Sequence, residues 1–269
     1  IRLSSVGNLA PTGSAADGEV EDYLVSILNG DDAPAVEIEI ADGGVEVTFE
    51  SNDFTVRTQQ IELFRAPATN VGSWNISGGD QDESLSIDVG GEFAVPTAGL
   101  RLAGGPGLNT LIIMGDQGAI DLTDPGIVAT DFQNLDLSSM DKTTITIDAA
   151  AVDRLSPELK MVSIVTDQDD TIIVSDAADW RLGNPLFDGN TFVLTANNFA
   201  GENERVEATV RHPWQNFVQA GDINNDGRVT VGDALRIINE LDRRRFSDGP
   251  TQNLYHPSSV EIWPGVYFD

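Results

Sequence analysis

Cysteine is absent from the 269 residues, which excludes disulfides, thiolate catalysis and Cys-based zinc sites without fixing the compartment. Histidine is limited to His212 and His256, too few and too far apart for a His-rich metal site or proton relay. Cations are scarce as well. Lys and Arg total 15 against 44 Asp and Glu, a formal net charge of -29. Such a field repels nucleic acid and anionic membrane, so neither is expected as a partner. It suits a soluble protein in a salty or calcium-bearing medium, where carboxylates are screened or ligate metal; acidity serving solubility alone is the plainer reading. No apolar run reaches the roughly 18 residues of a membrane-spanning helix, so membrane insertion is not expected. The chain opens on Ile1 with neither Met nor a signal-peptide pattern and stops at Asp269; it reads as an internal fragment of a longer protein.

What is present is enough apolar residue, 40%, for a sizeable core in one or two domains. Composition divides the chain into three zones: 1–30, 31–211 and 212–269. In the first, Asp17-Gly18-Glu19-Val20-Glu21-Asp22-Tyr23 leads into Leu24-Val25-Ser26-Ile27, a turn followed by a closing strand. Residues 17–28 resemble the tail of the GEVED domain, a β-rich module of bacterial surface proteins. A linker, Asn29-Gly30-Asp31-Asp32-Ala33-Pro34, follows.

The second zone is strand-dominated. Val36, Ile38 and Ile40 alternate with Glu37 and Glu39, and Val45, Val47 and Phe49 with Glu46 and Thr48. Period two predicts half-buried strands, joined here by the Asp42-Gly43-Gly44 turn. From about residue 72 the texture becomes quasi-repetitive. Stretches 83–87, 109–113, 143–147 and 170–174 can be stacked by eye, with starts about 26, 34 and 27 residues apart. Further rungs lie at Leu100-Arg101-Leu102, Ile120-Asp121-Leu122 and Leu135-Asp136-Leu137, and an Ala-rich run at 149–155, ended by Ser156-Pro157, predicts a short helix. The expectation is a mainly β protein with a β-solenoid-like (parallel β-helix) central domain; a β-sandwich gives similar texture. Gly104-Gly105-Pro106-Gly107-Leu108-Asn109-Thr110-Leu111-Ile112 fits the glycine-rich nonapeptide of calcium-binding β-rolls, with Asn where Asp is expected, though a plain structural corner is the better reading. The wider segment resembles the degenerate solenoid repeats of large adhesin-like bacterial proteins.

The chemistry concentrates at 222–233. Calcium takes six to eight oxygens, which one loop supplies by alternating ligands and spacers around a sharp turn. Asp222, Asn224 and Asp226 stand at positions 1, 3 and 5 of a twelve-residue calcium loop, and Gly227 at the turn. Arg228 offers its carbonyl, Thr230 a water-mediated contact, and Asp233 closes the shell. Val229 is the aliphatic expected to anchor the loop to the core. Ala234, Leu235, Ile237, Ile238 and Leu241 then make one apolar stripe over two turns, ended by Arg243, Arg244 and Arg245 where cations suit the helix dipole.

A loop with an exiting helix, no strong entering helix, and Asp at the closing position resembles a type I dockerin repeat, complete once at 221–243. Asp269 would open a second, truncated repeat. The resemblance implies bound calcium, an extracellular or cell-surface setting in a large bacterial protein, and a cohesin-type domain or an intramolecular second repeat as partner. The family reads its partner at loop positions 10 and 11, here Val231 and Gly232 rather than a hydroxyl-rich pair, and on the helix, where Arg236, Asn239 and Glu240 are expected to be exposed. No acid, base and positioning Arg stand at fixed spacing, so no enzymatic activity is expected. The leading expectation is a structural or adhesive segment with a calcium-binding module; the alternative is a scaffold component that binds cohesin and tethers carbohydrate-active enzymes.

Overall fold

The computed structural model describes residues 35–39, 44–50, 53–58, 61–91, 93–139, 142–167, 169–183, 186–188, 191–200, 204–210, 216–219 and 221–244. The GEVED-like stretch, the linker, both histidines and Asp269 lie outside these. The described chain is mainly β. Its strands are β1 (Ala35–Glu39), β2 (Val45–Glu50), β3 (Asp53–Thr58), β4 (Ile61–Pro67), β5 (Ser73–Ser77), β6 (Ser84–Asp88), β7 (Leu100–Ala103), β8 (Thr110–Met114) and β9 (Gly118–Asp121). Then come β10 (Ile127–Thr130), β11 (Asn134–Asp136), β12 (Thr143–Ile147), helix α1 (Ala149–Leu155), β13 (Met161–Val165) and β14 (Thr171–Val174). The chain continues through β15 (Trp180–Leu182), β16 (Leu186–Asp188), β17 (Thr191–Asn198), β18 (Arg205–Val210) and helix α2 (Val231–Arg243).

Three ladders organise these strands. One runs β1-β5-β7-β10, a second contains eleven strands along β15-β17-β18-β13-β11-β8-β6-β2-β3-β4 with β16 beside β17, and the third is β14-β12-β9. From β7 to β14 the chain visits the ladders in fixed order, with α1 standing where a further first-ladder strand would fall, and β15 to β18 all join the second ladder. Each visit pairs in parallel with the one before. Trp74 pairs with Leu100 and Leu100 with Ile127. Leu85, Leu111, Leu135, Ile164 and Ala208 form a second column, and Ile120, Ile145 and Ile172 a third. All are buried. Period-two alternation explains this: one face of each short strand carries the aliphatics, and in-register pairing superimposes them.

Two sequence expectations need correction. β1 and β2 are strands, but they do not form a hairpin across 42–44: β1 pairs with β5 and β2 with β6, in different ladders. The four stretches stacked by eye also divide. β6 and β8 pair in the second ladder, whereas β12 and β14 pair in the third. All four share one polar–aliphatic texture, and texture does not say which face of a coil a strand occupies.

Both ends of the eleven-stranded ladder turn antiparallel, through β2-β3-β4 at one end and β15-β17-β18 at the other. At the first end Phe54 stacks on the buried Trp74, and Phe64 meets it edge-on with centroids 5.6 Å apart. The predicted helix at 149–155 is present, capped by Asp148 accepting from the Ala151 amide at 2.7 Å.

The glycine corner is structural and tightly stacked. A Cβ on Gly104 would lie 2.2 Å from the Asp131 carbonyl oxygen, and one on Gly78 would lie 2.2 Å from that of Gly104. Buried Asn109 ties the layers: its Oδ1 accepts from the Glu83 amide, and its Nδ2 donates to the Gly105 and Asp131 carbonyls. The Asn109 side chain thus bonds its own corner and the coils on either side of it.

Candidate metal-binding loop

Residues 222–233 follow a segment fixed to the β core. Val218 belongs to the buried core cluster, and buried Asn216 donates from Nδ2 to the Asp222 carbonyl at 2.9 Å while its Oδ1 accepts from the Val218 and Gln219 amides. Ile223 is fully buried. The loop thus starts from a rigid root.

Asp222 is buried and its carboxylate is aimed by main-chain donors. The Asp226 amide donates to Oδ1 at 3.1 Å and the Gly227 amide to Oδ2 at 2.7 Å. These contacts need the chain to double back, which left-handed Asn225 (φ +53°) and Gly227 (φ +81°) achieve. Asn224 accepts from the Asp226 amide through Oδ1 and donates from Nδ2 to Asp226 Oδ2 at 2.9 Å, so the second and third expected ligands touch.

Asp233 closes the loop from the first turn of α2. Its Oδ1 accepts from the Ile223 and Asn224 amides at 3.1 and 3.3 Å, and its Oδ2 from the amide and hydroxyl of Thr230 at 2.7 and 2.9 Å. Thr230 is the N-cap and completes a capping box with Asp233. Burial pushes the Asp233 carboxyl upward, but the Thr230 donors and the Asn224 and Ile223 amides outweigh it and hold the group below the ordinary range. Asp226, Arg228 and Thr230 are exposed.

Asp222, Asp226 and Asp233 are not ion-paired to any described basic side chain. Among the described residues no three His, Cys, Asp or Glu side chains converge as a metal cluster. The loop instead mixes three carboxylates with an amide, a hydroxyl and a main-chain carbonyl. That all-oxygen set, with carboxylates 1 and 12 fixed by amides and no paired cation among the described residues, fits a hard divalent ion.

Residues 220–255 match the family described as Dockerin type I domain. No curated protein and no solved structure matches the chain. Dockerin type I domains in general bind calcium and dock onto cohesin domains. No helix among the described residues is long and apolar enough to cross a membrane.

The dockerin-like segment departs from expectation on its outer surface. Val229 is 58% exposed and does not anchor the loop to the core; Val218, just before the loop, is the residue that joins the core cluster, and Ile223 is buried. Glu240, expected to be exposed, is buried with Asp233 on the inward side of α2, half-buried Ile237 between them. The apolar stripe faces the other way: Val231, Leu235, Ile238 and Leu241 are exposed. Spacing identifies a stripe but not which way it points, because both helix faces recur at 3.6 residues.

Sequence reasoning also missed two residues. Asn225 donates from Nδ2 to the Leu182 carbonyl at 2.6 Å, and the Arg181 guanidinium occupies the space where a Gly227 Cβ would fall, 2.3 Å from its central carbon. Asn225 stands at a spacer position and Arg181 lies over 40 residues upstream, so neither carries a sequence signal.

Proposed function

We propose that this chain is a non-enzymatic, calcium-binding segment of an extracellular or cell-surface bacterial protein, structural or adhesive in role, whose β-solenoid-like body carries a dockerin-like module. What supports the solenoid reading is the fixed order of visits to three ladders and the buried columns at steps of 26 and 27 residues in the first ladder, 25 and 27 in the third. What carries the metal reading is the pair of amide-held carboxylates, Asp222 and Asp233, at opposite ends of one closed loop. Asp222, Asn224, Asp226, the Arg228 carbonyl and Asp233 would hold the ion, with Thr230 reaching it through water. Bound calcium supplies charge neutralisation for the three carboxylates and cross-links the loop. Calorimetric titration tests this: one calcium per chain is expected, reversed by EGTA, and no heat of binding would sink the reading.

A second reading is favoured by the exposed stripe Val231, Leu235, Ile238 and Leu241. Apolar side chains on the outward face of a solvent helix mark a docking surface. Here the module would bind a cohesin-type domain, or pack on a second repeat of its own chain, and as a scaffold component tether carbohydrate-active enzymes. Capture by immobilised cohesin in calcium, lost in EGTA, would favour this over the purely structural role.

A further inference from the structure

Strand β15 ends the eleven-stranded ladder, and among the described residues it pairs with β17 on one side only. The Gly183 amide donates to the Thr195 carbonyl, so by antiparallel alternation Arg181 also faces β17 while the Trp180 and Leu182 carbonyls face outward. An open edge of this kind normally presents unpaired main-chain groups. Both outward carbonyls are satisfied here. Arg181 Nη1 donates to Trp180 and to the Ala178 carbonyl at 3.0 Å, and Asn225 Nδ2 donates to Leu182 at 2.6 Å. The same Arg181 guanidinium lies against Gly227, leaving no room for a Cβ there. Two contacts therefore fasten the loop to the sheet edge. One falls between the first two expected metal ligands and Asp226, at Asn225; the other falls immediately after Asp226, at Gly227.

We propose that the metal loop and the β15 edge form one cooperative unit, with Asn225 and Arg181 as positioning residues through which calcium binding closes the edge of the β body. This rests on the calcium reading above. Asn225 is no ligand, but its clamp fixes the left-handed turn that brings the Asp226 and Gly227 amides to Asp222. An ion that rigidifies the turn thereby holds the clamp, and the clamp in return preorganises the turn.

The test uses the whole chain with calcium alone, combining calorimetry with amide hydrogen exchange. Calcium is expected to slow exchange at the Arg181 and Gly183 amides, which face β17, as well as inside the loop. Asn225→Gly keeps the positive φ available and deletes only the donor. It is expected to retain one calcium per chain with affinity about three- to tenfold weaker, the worth of one hydrogen bond, and to lose the slowing at Arg181 and Gly183. Arg181→Ala, which leaves every loop residue in place, is expected to lose that slowing too. Calcium binding that leaves exchange in β15 unchanged, or an Asn225→Gly chain with full affinity and full slowing, overturns the coupling while the metal site stands. A chain that takes up no calcium fails the metal reading and the coupling together.

Discussion

Asp226 is exposed, touches Asn224 through its side chain and sends its amide to Asp222. Asp226→Ala removes a proposed ligand and one of three carboxylates that are not ion-paired among the described residues, and its side-chain hydrogen bond to Asn224 is exposed. The metal-free chain should therefore keep its stability within about 0.5 kcal/mol, while stabilisation by calcium, about 2.7 kcal/mol at a hundredfold excess over Kd in the wild type, should vanish in thermal melts with and without the ion. Asp170 behaves differently. Burial lifts its carboxyl above the ordinary aspartate range, more than the Asp167 and Thr143 amides lower it. Near its folded pKa the native state then binds more protons than the unfolded chain, so this group's contribution to stability falls as pH rises through that range and recovers on acidification. Relative to Asp170→Asn, the wild type should gain stability between pH 7 and pH 3.5 in parallel denaturant melts; equal shifts in both proteins would dismiss Asp170 as the source.

Among elements, the stacked corner and α2 show opposite logic. At the corner, Asn109 answers three main-chain groups, those of Glu83 and Asp131 on neighbouring layers and that of Gly105 on its own. Asn109→Ala removes the partner of the Glu83 amide and of two half-buried carbonyls, and should cost about 1–3 kcal/mol, read as a lower urea midpoint. Helix α2 buries Asp233 and Glu240 while Val231, Leu235, Ile238 and Leu241 are exposed, the reverse of a helix that stabilises its own domain. Ile238→Lys should change the stability of the isolated chain by less than about 0.5 kcal/mol but abolish capture by a cohesin-type partner. A large loss of stability would instead show that the stripe is covered within the chain itself.

At the scale of the whole molecule, parallel ladders with aliphatic columns give the β body its core, and antiparallel strands close both ends. The dockerin-like loop extends that closure, since its root residue Val218 joins the core cluster and Asn225 reaches the outermost strand. A net charge of -29 opposes compaction, because roughly 10 Å of screening at 0.1 M salt leaves neighbouring carboxylates in mutual contact. Raising sodium chloride to about 0.5 M should raise Tm by a few degrees even in Asp226→Ala, separating general screening from the loop's own response to calcium.

The alternating strands such as β1, β2, β6, β8, β12 and β14, the short helix at 149–155 and the spacing of 222–233 were legible in the chain because each is written locally, whereas the antiparallel end strands β3, β4 and β15 to β18 were not read from it. Alternation fixes a strand's buried face, an alanine run bounded by Asp148 and Pro157 fixes a helix, and a calcium loop is contiguous by the geometry of its ion. Which ladder each strand joins was decided only by tertiary structure. β12 and β6 share a pattern, and parallel partners lie a full coil away, where no local signal reaches. Direction was decided there too: periodicity marked the apolar stripe of α2 without saying that it points outward, and placed Val229 in a core it does not enter. The loop at 222–233 owes its ligand order to sequence, whereas its attachment through Asn225 and Arg181 exists only because folding brings an edge strand over 40 residues upstream against it.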